Sequence, residues 1–290
     1  MNDPSDPYAA IAAWYDVEHD RFTADVEFYQ TVIAVSSGAR INALEIGSGT
    51  GRLAAALALA GWAITGVEPS AAMRERCAAR LAKLPPPVAR RITVIAGTAT
   101  ALNLPVALPN GAFDAAIIAL GTFAHLLSAE ERMQALVAIR PYLRAGGKLV
   151  IDLDLAGPRD LAAHPGRHVR LGTWRIPASA SNEAGGSRIL THNALGMAGP
   201  MPETVAIQHA YIVHEGRAEI SRTKTTTTLA LLTSESVSDE LRWAGYRVAA
   251  VYGDYNLAPY RGSSPRALIV ARISQCQFGV KMERNSTPIL

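Results

Sequence analysis

Apolar positions along this chain recur at two periods, and the switches between them mark out its elements. Between residues 8 and 35, Tyr8, Ile11, Trp14 or Tyr15, Phe22, Val26 and Tyr29 fall at roughly helical spacing, which predicts one or two amphipathic helices. An apolar run at 41–46 then predicts a strand, 47–51 a glycine-rich turn, and 52–60, dense in Ala and Leu, a helix. Residues 62–67 read as a second strand; Glu68-Pro69-Ser70 ends it and caps a helix running to about residue 84, which the triple proline 85–87 stops. Further strands are expected at 92–96 and 113–120, the latter apolar on both faces as a central parallel strand should be. A helix at 129–143, closed by Gly146-Gly147, leads into a strand at 148–153.

This βαβα order with short turns predicts an α/β fold, a Rossmann-like doubly wound, mostly parallel sheet. After Leu155 the pattern changes. Residues 157–231 are rich in Gly, Thr, Ser and β-branched residues without a long helical period, and 204–213 and 218–231 alternate like antiparallel strands, which predicts an inserted β segment. A helix at 234–244, with Thr233 or Ser234 as N-cap and Gly245 closing it, and strands at 247–252 and 266–272 complete the pattern. The organisation expected is an N-terminal helical lid (1–40), a core (41–156 and 232–273), a β-rich cap and acceptor region (157–231), and a tail (274–290) with no consistent period, read as disordered.

Composition narrows the function classes. The chain has 290 residues, 49% hydrophobic and 18% charged, a balance that suits a well-packed globule. Its formal net charge is only +3 and the basic residues are scattered, so the clustered stripe of a nucleic-acid partner is missing. The acidic, proline-punctuated N-terminus has no signal-peptide pattern and no apolar stretch is long enough to span a bilayer, so a cytoplasmic protein without membrane association is expected. Cys77 and Cys276 sit in no redox or metal spacing, and the histidines form no compact ligand set, so no metal is expected.

The chemistry concentrates in Leu44-Glu45-Ile46-Gly47-Ser48-Gly49-Thr50-Gly51, which follows an apolar strand and opens a helix. Glycines let the backbone turn tightly and approach a ligand, and the helix start offers unpaired N–H groups. Glu45, two residues before the first glycine, decides between ligands. A pyrophosphate here would be repelled by a carboxylate, whereas an ammonium and a sulfonium would be favoured. Glu68 closes the second strand, where a carboxylate can accept both hydroxyls of a ribose.

These segments resemble the class I S-adenosylmethionine-dependent methyltransferases of the small-molecule type. LEIGSGTGR looks like their first motif and GVEPS like their second-strand motif, while FDAAIIALGTFAHL and LRAGGKLVIDL look like the fourth strand and the helix–turn–fifth strand after it. The likeness covers about residues 8–154 and, more loosely, 233–272. It implies S-adenosylmethionine as cofactor, bound by Glu45, Gly47, Ser48, Gly49, Gly51 and Arg52 of the first motif and by Glu68 and Pro69 of the second. Thr98 and Ala99 follow the third strand where many members place an acid against adenine, and Leu120 ends the fourth.

On the acceptor side, His125 follows the fourth strand, where a base could take a proton, with support of the cofactor loop as its other reading. Tyr15, in a segment that folds over the cofactor in similar enzymes, is the second candidate catalytic residue. The aromatic run Tyr252 to Tyr260 reads as a strand connection before it reads as pocket wall. The expected activity is methyl transfer to an N or O atom of a small molecule, by a monomer or homodimer. An NAD-dependent oxidoreductase on the same fold, or a non-catalytic methyltransferase-like subunit, are the alternatives.

Overall fold

The computed structural model of the chain describes residues 6–34, 40–104, 111–177 and 188–274. Two helices, α1 (Ala12–His19) and α2 (Ala24–Ile33), precede β1 (Asn42–Ile46), α3 (Arg52–Leu59), β2 (Ala63–Glu68), α4 (Ala71–Leu81), the single turn α5 (Pro86–Ala89) and β3 (Ile92–Ala96). Then come β4 (Phe113–Ile118), α6 (Ala129–Ile139) and β5 (Leu143–Asp154). The chain continues through α7 (Ala156–Ala163), β6 (His168–Arg175), β7 (Arg188–Ala198), β8 (Thr204–Glu215) and β9 (Ala218–Ala230). It ends in α8 (Ser234–Trp243), β10 (Tyr246–Tyr252) and β11 (Arg266–Ile273).

The first sheet has seven strands in the order β10-β11-β5-β4-β1-β2-β3. Its β3-β2-β1-β4-β5 part is parallel, and β11 and β10 are added antiparallel at one edge. Alternation along the central strands sorts their side chains between two cores. Ala43, Ala115, Ile117 and Val150 face α2 and α3, with Phe28, Tyr29, Leu53 and Leu57. Leu44, Ile46, Ala116, Ile118 and Ile151 face α6 and α8, with Leu136, Ile139, Val237 and Leu241. The chain runs β1, β2, β3 outward and then returns to β4 on the other side of β1, so the strand order reverses between β1 and β4. In open α/β sheets ligands bind at such a reversal, outside the carboxyl ends of the strands.

The second sheet is antiparallel, β6-β7-β8-β9. One of its faces takes α1 through Ile11, Leu190, Tyr211 and Val213 with Trp14 and Val17, and α7 through Leu161, Ala194, Val205 and Ile207.

The expected α/β class, parallel core and antiparallel insert all appear, with local differences. The helix expected to reach residue 143 ends at Ile139, and Leu143 already begins β5. Pro141 lacks an N–H and crowds the carbonyl four residues back, so 140–142 tighten into a 3-10 turn. The triple proline stops α4 but also starts a helix: Pro86 stands at the first turn of α5, where no N–H is needed. The strand expected to reach residue 120 ends at Ile118, because Leu120 takes a left-handed φ of 47°. The stretch read as having no long helical period holds the short α7; its two turns carry only Pro158 and Leu161 as buried residues, too few to make a period. Thr233, one of the two expected caps, accepts from Ser236 N–H. Cys77 is a buried free thiol, while Cys276 and tail residues 275–290 lie outside the described residues. No described helix is long and apolar enough to cross a membrane.

Candidate functional site

The glycine turn is assembled by three left-handed residues, Gly47 (φ 70°), Gly49 (φ 56°) and Gly51 (φ 75°). A Cβ on Gly47 would lie 2.4 Å from Thr122 Cγ2, and one on Gly51 2.5 Å from Cys77 Sγ. Around Gly49 the same construction meets nothing within 4 Å, so that side of the turn is open. Gly47 N–H donates to the Val67 carbonyl (2.8 Å), which ties the turn to the end of β2.

Glu68 completes the cradle. Its Oε2 accepts from Gly49 N–H (2.8 Å) and its Oε1 from Ser70 N–H (2.9 Å), so this one carboxylate joins the glycine turn to the start of α4. Burial raises its pKa against the opposing pull of those two N–H groups. Glu45 is only 3% exposed, and its Oε2 has no hydrogen-bond partner. Burial pushes its carboxyl up to about 8, with Arg52 pulling the other way. Arg52 turns its fork onto Asp25 of α2, at 2.5 and 3.0 Å, and onto the Phe22 carbonyl at 2.7 Å.

A cavity of about 560 Å³ opens at the reversal point of the sheet. Of the expected residues, Tyr15, Gly47, Gly49 and Glu68 line it at the turn, and Pro69, Thr98, Ala99, Leu120 and His125 line it elsewhere. Glu45, Ser48 and Arg52 instead line a small adjoining hollow that shares Tyr15, Gly47, Gly49 and Leu120 with the cavity. Gly51 lies on neither wall and acts as the left-handed N-cap of α3. Leu120, held in its left-handed turn, donates its N–H to Asp152 Oδ2 at 3.2 Å.

Over the cavity, Tyr8 Oη and His125 Nε2 share a hydrogen bond of 2.8 Å. Burial pulls His125 down to about 4, so the imidazole is neutral near pH 7. Burial also pushes the Tyr15 phenol up to about 12. Its ring stacks on His19 at 4.1 Å and meets the Tyr8 ring edge-on at 6.3 Å. Tyr255, from the aromatic run 252–260, bonds to Asp152 at 2.6 Å and packs on Phe22 and Phe28; it is a brace behind Leu120 and outside both walls. Among the described residues no group of three His, Cys, Asp or Glu is placed to hold a metal.

Residues 44–149 match the family model for a methyltransferase domain. That match takes in the glycine turn and the parallel strands around it. Around it, the whole fold resembles solved class I methyltransferases. The CcbJ methyltransferase from Streptomyces caelestis is 22% identical, with a TM-score of 0.71 over 93% of this chain and 99% of that one. CalS10 from Micromonospora echinaspora, an amino pentose methyltransferase solved with S-adenosylmethionine bound, is 18% identical, with a TM-score of 0.66 over 94% and 99% of the two chains. KedS8 from Streptoalloteichus sp ATCC 53650, a sugar N-methyltransferase, is 19% identical, with a TM-score of 0.65 over 90% and 92%. No curated protein matches at the sequence level.

The domain's residues fit S-adenosylmethionine on two observations. A buried carboxylate oxygen, Glu45 Oε2, has no partner of its own, which suits an ammonium group. The open side of Gly49 leaves room that a Cβ would fill, so a ligand can approach the backbone there.

Sequence reasoning missed three features of this site. Tyr8 reads as one more apolar position, and nothing local links it to a histidine 117 residues away. Asp25 is the fully buried partner of Arg52, yet in sequence it is an ordinary acid in a helix's first turn. Asp16, whose oxygens take Arg76 (2.8 Å) and Arg80 (2.7 Å) of α4, anchors α1, and only the tertiary fold brings these groups together.

Proposed function

We propose that this protein is an S-adenosylmethionine-dependent methyltransferase acting on a small molecule, and that the atom it methylates is an amine nitrogen. The observation that carries the reading is the orphaned, buried Glu45 carboxylate beside a left-handed glycine turn at the sheet's reversal point. When bound, S-adenosylmethionine supplies a methyl group on a sulfonium, open to in-line displacement by a nucleophile.

The chain's own residues divide the work. Glu45 meets the ammonium end, and the backbone of Gly47, Ser48 and Gly49 gives close approach. Glu68, whose oxygens are already fixed by Gly49 and Ser70, accepts the ribose hydroxyls. Pro69 and Leu120 flank the nucleoside, and Thr98 with Ala99 meets the adenine edge. Arg52 holds α2 against the glycine helix and adds positive charge behind Glu45. Residues 6–34 act as a lid that brings Tyr8 and Tyr15 over the cavity, and the second sheet with its flanks forms the acceptor side.

The amine reading follows from His125. An imidazole pulled down to about 4 and already bonded to Tyr8 is a poor base for a hydroxyl, whose proton must leave in the transition state. An amine needs only to arrive neutral, and holding it in line with the methyl group while water is excluded then supplies most of the acceleration. His125 is accordingly the residue that orients Tyr8. The amino pentose and sugar N-methyltransferase activities of the structurally similar CalS10 and KedS8 support the same choice.

Isothermal titration with S-adenosylhomocysteine tests the cofactor half. Submillimolar affinity is expected, and a folded sample that does not bind overturns the assignment. Turnover of an amino sugar, but not of the matching hydroxyl compound, tests the acceptor half.

A further inference from the structure

Helix α1 is the element that puts Tyr15 into the cavity wall, and it also meets a buried polar chain inside the second sheet. Glu18, one helical turn after Tyr15 and on the same face, accepts from His192 Nδ1 of β7, 3.1 Å from each carboxylate oxygen. His192 Nε2 lies 2.9 Å from His209 Nδ1 of β8, and His209 Nε2 lies 2.8 Å from Thr227 Oγ1 of β9. Tyr211 closes the group, donating its Oη–H to Glu18 Oε2 at 3.3 Å while its ring stacks on His192 at 4.0 Å. One carboxylate thus gathers hydrogen bonds that reach across three neighbouring strands.

The proton count shows why such a chain holds. Burial keeps His209 neutral, so it has one N–H to place between two partners. The distances then fit a chain in which every bond points one way: Thr227 O–H to His209 Nε2, His209 Nδ1–H to His192 Nε2, and His192 Nδ1–H to Glu18. In that arrangement each ring nitrogen has one partner, and Glu18 accepts from His192. A satisfied buried network of this kind fixes geometry more than it adds stability.

We infer that Glu18, held by His192, His209, Thr227 and Tyr211, is a positioning residue: it sets the rotation of α1 on the second sheet and thereby places Tyr15 over the cofactor cavity. The role rests on the proposed S-adenosylmethionine site. Thr225, which donates its hydroxyl to the Pro7 carbonyl at 2.7 Å, holds the segment carrying Tyr8 to the same sheet. The second sheet therefore sets both tyrosines, though it supplies neither.

The test measures S-adenosylhomocysteine affinity, melting temperature and, with an amine acceptor, kcat and KM separately, for the full chain and for Glu18→Ala, Glu18→Gln and Thr227→Val. Glu18→Ala should weaken binding by about tenfold in the folded protein, as expected for removal of one buried hydrogen-bond partner. Glu18→Gln, which keeps an acceptor for His192, should restore most of that affinity, and Thr227→Val should give a smaller loss with kcat reduced more than KM is raised. Melting temperatures that fall while affinity, kcat and KM stay at wild-type values overturn the positioning role, and so does a Glu18→Gln variant no better than Glu18→Ala. Thr227→Val, which leaves Glu18 and both histidines in place, carries the comparison if Glu18→Ala does not fold. Failure of the wild-type chain to bind S-adenosylhomocysteine would instead strike the cofactor assignment beneath this proposal.

Discussion

Gly47 and Gly49 share a left-handed backbone but differ in what a methyl group would meet. At Gly47, alanine collides with Thr122 and adds left-handed strain, typically ~1–2 kcal/mol per residue, so Gly47→Ala should lower the melting temperature clearly. At Gly49 only the strain applies to the fold, while the new methyl group fills the open side of the turn. Gly49→Ala should therefore melt closer to wild type yet lose most of its S-adenosylhomocysteine affinity. A Gly49→Ala protein that binds normally would refute the cradle. Glu45 gives a second prediction, with its sign set by burial. A carboxyl whose folded pKa is about 8, against about 4.3 in the unfolded chain, stabilises the fold below pH 4 and loses that contribution as pH rises to 8. Glu45→Gln should thus melt higher than wild type at pH 8–9, while binding S-adenosylhomocysteine more weakly. Because the ligand's ammonium favours the ionised form, binding near pH 7 should release a proton, seen as a dependence of titration heat on the buffer's ionisation enthalpy.

Between elements, Arg132 of α6 makes a buried fork with Glu240 of α8, at 2.8–3.0 Å between residues 8% and 5% exposed. The same guanidinium donates to the Leu126 and Leu127 carbonyls, directly after His125. Glu240→Ala leaves a buried cation unpaired and should cost about 3–5 kcal/mol by chemical denaturation, whereas the double change to Met and Leu should recover most of it. The elements also show what the sequence could reveal. β1, β2 and β4 were legible because strands buried on both faces read as continuous apolar runs, and α3 because Ala and Leu favour a helix and Gly51 marks its start. The ends of α6 and β4 were not. Pro141 and the left-handed Leu120 act through backbone geometry, and Leu120 is held there by Asp152 on a different strand. α7 escaped because its amphipathic face matters only once β7 and β8 lie against it.

For the whole molecule, two sheets meet through the N-terminal segment, which packs α2 on the parallel sheet and α1 on the antiparallel one. A ligand under this segment binds only the folded chain, so saturating S-adenosylhomocysteine should raise stability by mass action, about 2.7 kcal/mol at a hundredfold excess over its dissociation constant. A thermal shift with S-adenosylhomocysteine and none with NAD would also separate the methyltransferase reading from an oxidoreductase on the same fold. The sequence by itself determined the α/β class, the parallel core and the glycine turn with its acids. These depend on local periodicity and on residues close in the chain, where steric and hydrogen-bonding rules act directly. The tertiary structure alone decided the partners of those residues: Tyr8 with His125, Arg52 with Asp25, Glu18 with two histidines of the second sheet. Burial and long-range contact set both the protonation and the aim of such side chains, and neither is written in the spacing of residues along the chain.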